Sequence, residues 1–95
     1  MSTTPLKNTV IVGKKPVMNY VMACVTLFNE GTNIVNIKAR GQAISNAVDT
    51  VQLLSRAFVE DLKIESIDID TDELIRDGGY KTHVSTIDIV ISKPD

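Results

Sequence analysis

This chain has one cysteine, one histidine, no tryptophan, and only two tyrosines and two phenylalanines in 95 residues. The lone Cys24 excludes an intrachain disulfide and any metal cluster built on cysteines, and it suits a reducing cytoplasm. No apolar run approaches the roughly 20 residues that cross a bilayer. Residues 1–5 lack the charged-then-apolar order of a signal peptide. His83 has no nucleophile elbow near it and no triad with Ser45 or Ser85, so it is read as a structural or phosphate-contacting histidine at the start of a strand. With no general-base, nucleophile or metal constellation, an enzyme is not expected, and no cofactor is implied. Asp68, Asp70 and Asp72 begin like a calcium loop, but Glu73 stands where that loop needs glycine and Gly79 where it needs glutamate. Solvent-facing charges that deter edge pairing are the better reading of these aspartates.

What is present is an ordinary globular composition, 43% hydrophobic and 23% charged. Residues 1–95 are enough for one domain with a single two-layer core. The net charge of −2 argues at first against a nucleic-acid partner. Its distribution reverses the argument. Residues 1–58 hold six basic side chains against two acidic, a balance of +4, and residues 59–95 hold four against ten, a balance of −6.

Val10-Ile11-Val12 reads as a short buried strand ended by Gly13. Pro16 suits the first turn of a helix, where its missing N–H is no loss. Val17, Tyr20, Val21, Cys24, Leu27 and Phe28 then recur at helical spacing, which makes Cys24 a core residue, and Gly31 supplies the left-handed stop. Val35, Ile37 and Ala39 alternate with Asn36 and Lys38 as in a half-exposed strand. Arg40-Gly41 turns into a second helix with the stripe Ile44, Ala47, Val48, Val51, Leu54 and Phe58. Leu62 and Ile64 share one parity while Ile67 and Ile69 share the other, so a bulge near Ser66 is expected. Ile87, Ile89 and Ile91 mark the last strand. Between them, residues 71–83 form a connection or an extended hairpin arm around Asp77-Gly78-Gly79. The order is βαβαββ, an α/β chain of the two-layer α+β kind with helices on one face of a mixed sheet.

Two basic stretches sit at strand-to-helix junctions: residues 13–20, with Lys14 and Lys15, and residues 37–45, with Lys38 and Arg40. Both lysines of the first should be exposed beside a helix N-terminus, where free N–H groups favour anions. Lys38 and Arg40, two apart in a strand, should point together away from the core, Arg40 with a planar fork for phosphate oxygens. Gly41 either permits close backbone approach or serves the turn. These stretches, with Ala47-Val48-Asp49, residues 84–89, Gly31 and Gly41 in the same order, resemble the Alba family, small dimeric nucleic-acid-binding proteins of archaeal chromatin. The similarity runs from about Asn8 to Lys93.

The resemblance implies a four-stranded sheet in the order 1-2-4-3, like the C-terminal domain of bacterial initiation factor three. It also implies a homodimer with two projecting arms, and a cytoplasmic, chromosome-associated protein. It assigns Lys14, Lys15, Lys38, Arg40, Gly41 and Gln42 to the phosphate-binding edge and Arg76 and Lys81, with Tyr80 and His83 nearby, to an arm reaching toward the minor groove. Lys14 falls where acetylation lowers affinity in the family, by removing a phosphate-pairing charge. Phe58 reads as core packing, although the family uses an aromatic near this point in dimer–dimer contacts. Gln42 and Asn46 stand where relatives often carry basic residues. If Lys14, Lys15, Lys38 and Arg40 of both protomers each neutralised a phosphate, the salt slope would reach about −7. The acidic half implies a smaller slope and weak, backbone-directed binding to duplex DNA. Structured RNA is the alternative ligand, because the chain has too few aromatics for a base-stacking sheet. A protein-interaction module with little nucleic-acid affinity is the alternative of another kind.

Overall fold

The computed structural model describes residues 8–94. Strand β1 (Thr9–Ile11) leads to helix α1 (Val17–Asn29) and strand β2 (Ile34–Arg40). A 3-10 turn over Gly41–Ala43 opens helix α2 (Ile44–Leu53), and strands β3 (Lys63–Ile75) and β4 (Lys81–Ser92) complete the chain. The sheet order is β1-β2-β4-β3, with β1 parallel to β2 and the other pairs antiparallel. Both the order implied by the family resemblance and the two-layer architecture are therefore present.

Val35, Ile37 and Ala39 of β2 and Ile87, Ile89 and Ile91 of β4 point to the helical side and are buried there. They meet Tyr20, Val21, Cys24 and Phe28 of α1 and Ala47, Val51 and Leu54 from α2 and the turn after it. Thr50 is the one buried polar residue among the described residues, and its hydroxyl donates to the Asn46 carbonyl at 2.7 Å. Helix α1 ends in a paired-bond cap: the Thr32 amide donates to Leu27 O and the Gly31 amide to Phe28 O, both at 3.1 Å. Gly31 has φ of 98°, the left-handed conformation that this cap requires.

Three expectations need correction. Pro16 is extended (φ −55°, ψ 144°) and lies just before the first helical turn rather than inside it. Val48, placed on the apolar stripe of α2, is 40% exposed on the flank of the helix. Phe58 is 45% exposed, not packed in the core. After Leu53 the helix widens into a π turn over Leu54–Phe58, closed by Val59 N–H to Leu54 O at 2.8 Å. The wider turn rotates later positions off the stripe, which carries Phe58 outward.

The parity slip in β3 has the expected cause. Ile64 pairs with Ile91 and Ser66 with Val90, so Glu65 is the extra residue of a bulge. The same register makes residues 71–83 a hairpin arm, with β3 and β4 paired out to Ile75 and Lys81. Strand β2 stops at Arg40, opposite Thr86, so beyond that point β3 and β4 have no third strand beside them among the described residues. Ile64, Ile67 and Ile69 of the edge strand share the helical side with Ile91, Ile89 and Ile87, yet lie 45%, 56% and 79% exposed. No helix among the described residues is long and apolar enough to cross a membrane.

Candidate nucleic-acid interface

The loop between β1 and α1 is fastened from below. The Val12 amide extends the β1–β2 pairing by donating to Lys38 O at 2.8 Å. Past it, the hydroxyl of Tyr20, one turn into α1, accepts the Gly13 amide at 2.9 Å and the Lys15 amide at 3.0 Å. From the second helix, Asn46 Nδ2 donates to the Gly13 carbonyl at 3.0 Å. The backbone on both sides of Lys14 is thereby held, while the Lys14 and Lys15 side chains stay exposed. This arrangement refines the expectation of free loop amides. Those of Gly13 and Lys15 are committed to Tyr20, and α1 itself starts without a side-chain cap or an acidic residue in its first turn.

Lys38 and Arg40 point away from the helices, as their alternation with Ile37 and Ala39 requires. Gly41 follows with φ of 59°. A β-carbon built there would meet Val84 Cγ1 at 3.6 Å, an ordinary contact, so the turn conformation and not close approach calls for glycine. The 3-10 turn then presents Gln42 to solvent. Lys14, Lys38, Arg40, Gln42 and Asn46 line one groove of about 1110 Å³ between the loop, the start of α2 and the open face of the sheet. Lys15 is exposed beside this groove but does not line it, and Arg76 and Lys81 lie out on the arm.

The groove is not uniformly basic. Asp68, Asp70, Asp72 and Asp88 line it too. Lys38 Nζ lies 3.5 Å from Asp88 Oδ2, and Arg40 Nη1 lies 3.7 Å from Asp72 Oδ2. On the arm, Glu73 faces Lys81 at 3.5 Å and His83 at 3.6 Å, and Arg76 Nε donates to Thr82 Oγ1 at 3.0 Å. Lys14 and Lys15 have no carboxylate within ion-pairing distance among the described residues.

The Alba family profile matches residues 8–71, which span the loop, both helices, strands β1 and β2, and β3 as far as the base of the arm. The chain belongs to the Alba family. It is 51% identical over 90 residues to the DNA/RNA-binding protein Alba of Methanocella arvoryzae, covering 95% of this chain and 94% of that protein. In three dimensions it is similar to Alba from Thermoplasma volcanium, with a TM-score of 0.84 at 46% identity, over 90% of this chain and all of the other. ALBA1 from Trypanosoma brucei gives a TM-score of 0.76 at 27% identity, over 94% of this chain and 71% of that one.

Set in the Alba frame, the residues expected on the phosphate edge divide into two sets. The loop lysines have no carboxylate partner among the described residues and sit on a hydrogen-bonded loop, whereas Lys38, Arg40 and Lys81 are already held by carboxylates. Three parts of this arrangement were missed from sequence: the Tyr20 hydroxyl, the Asn46 amide and the carboxylate partners. Tyr20 and Asn46 had a signal, a polar tip on an otherwise apolar stripe and an amide one turn into a helix, since buried polar tips seek partners.

Proposed function

We propose that this chain is a nucleic-acid-binding protein of the Alba kind, acting as one unit over residues 1–95 and as a homodimer. Its principal ligand is duplex DNA held through the phosphate backbone. The observation that carries this reading is the groove in which Lys14, Lys38, Arg40 and Gln42 meet, with Lys14 and Lys15 mounted on a fastened loop. Phosphate contacts of this kind position a protein on nucleic acid without reading sequence. The paired state of Lys38, Arg40 and Lys81 and the net charge of −2 support weak, salt-sensitive binding. Arg76 and Lys81 add contacts from the arm along the groove of the duplex.

The dimer reading is supported by β3, whose Ile64, Ile67 and Ile69 leave an apolar row at the sheet edge for a second copy to cover. Phe58, exposed at the end of the π turn, is available for contacts between dimers. Acetylation of Lys14 would remove one of the loop's two charges, neither of which has a carboxylate partner among the described residues, and weaken binding further. On this reading the protein works in the cytoplasm in association with the chromosome.

RNA is the second reading, because the Methanocella relative is named as binding both nucleic acids. Competition of matched DNA and RNA duplexes for a labelled DNA duplex at low salt tests the choice. Displacement by DNA at much lower concentration supports the leading reading, and equal or stronger displacement by RNA transfers it to RNA.

A further inference from the structure

The open face of the sheet places its charges in rows. Across three strands, Lys38 stands opposite Asp88, which stands opposite Asp68. In the next row Arg40 stands opposite Thr86, which stands opposite Asp70. Arg40 does not stop at its own row: its guanidinium passes over β4 to reach Asp72 on β3 at 3.7 Å. Lys38 takes Asp88 through Oδ2 alone, and the other oxygen, Oδ1, is enclosed without a hydrogen-bond partner among the described residues. Asp68 and Asp88 are like charges directly across a strand pair, an arrangement that disfavours the sheet. The Asp68–Asp88 juxtaposition therefore does not stabilise the pairing of these two strands.

We infer that Asp72 and Asp88 act as built-in substitutes for phosphate, occupying Arg40 and Lys38 and setting the affinity of the groove for nucleic acid. The inference rests on the proposed nucleic-acid reading and adds residues that limit it. A carboxylate offers a guanidinium or ammonium the same kind of charge-assisted bond that a phosphate oxygen does. Exposed pairs of this kind are individually weak, so a phosphate can displace the carboxylate. The displaced carboxylate stays beside the phosphate and repels it, together with Asp68 and Asp70. With two cations against four carboxylates, the face is net acidic at neutral pH. Within this groove, contact with a polyanion thus falls mainly to the loop lysines, and the sheet face contributes little until its carboxylates are neutralised.

The test compares the full chain with Asp72→Asn plus Asp88→Asn, in titrations of a fluorescent DNA duplex at several salt concentrations. The expected result is an affinity gain of about tenfold or more near 0.1 M salt, with the salt slope moving from about −4 toward about −7 as Lys38 and Arg40 of both protomers engage phosphate. A control with the same change in net charge, Glu30→Gln plus Glu60→Gln, alters the other end of the sheet, where Ile34, Ser92 and Lys63 pair. It should leave both quantities nearly unchanged. Equal gains in control and test would mean that net charge alone acts, and would overturn the inference. Binding by the original chain with no change in the Asn variant would overturn it and leave the nucleic-acid reading standing. Absence of binding by both at the lowest salt would overturn the two together. Asp72→Asn alone, at a well-exposed position, gives the same answer for Arg40 without touching the enclosed oxygen of Asp88.

Discussion

The Tyr20 hydroxyl accepts the Lys15 amide at 3.0 Å, and this bond ties the exposed basic loop between β1 and α1 to the core. The same oxygen accepts Gly13, so one buried phenol orders both sides of Lys14. Tyr20→Phe keeps the ring and removes the acceptor. Leaving part-buried amides without a partner costs about 1–3 kcal/mol. A lower Tm and several-fold weaker duplex binding are expected, by thermal melting and titration. An unchanged affinity with a lowered Tm would mean that the order of the loop does not matter to the ligand.

Lys14→Ala with Lys15→Ala should act on binding alone. Both side chains are exposed and neither has a carboxylate partner among the described residues, so the Tm should hold within a degree or two. Duplex affinity should drop about tenfold or more at low salt, with the salt slope flattening as phosphate contacts are lost. Equal binding by the variant would remove this loop from the interface.

Ile67 and Ile69 give the proposed dimer its own test. Both face the helical side of an edge strand and are 56% and 79% exposed in the single chain. Ile67→Lys with Ile69→Lys should convert a dimer in sedimentation velocity into a folded monomer, and should weaken duplex binding by halving the number of loops engaged together. A variant that sediments as the original does would exclude this row from the interface.

Cys24 is fully buried, and burial pushes its thiol up to about 12 from 9.0. The neutral thiol is the form the fold favours. Its contribution to stability is complete below pH 9 and is lost as pH rises from there through 12. Thiol reagents at pH 8 should label the native protein far more slowly than the chain in denaturant. Fast labelling under native conditions would show that α1 opens readily.

How much of this was legible in the sequence depended on the range over which each feature is determined. Local periodicity sufficed for both helices, for the outward direction of Lys38 and Arg40, and for a bulge near Ser66, because parity records which side of a sheet a residue takes. The strand order came only with the family resemblance. Exposure of Ile67 and Ile69 could not be read, since their alternation is that of a covered strand and only the tertiary arrangement leaves this edge bare. Phe58 was misplaced because a switch from α to π winding leaves no mark in the apolar spacing. The pairs Lys38–Asp88 and Arg40–Asp72 join residues far apart in the chain, and they exist only through the β2–β4–β3 register. The basic edge was thus visible and its internal compensation was not.

The most direct measurement is the salt dependence of duplex DNA binding by the unmodified protein. If four loop lysines of a dimer carry the contact, log K should fall with log salt at a slope of about −4, well short of the about −7 expected for a fully engaged face. Binding that does not respond to salt, or no binding at the lowest salt, would contradict a phosphate-held complex centred on Lys14 and Lys15.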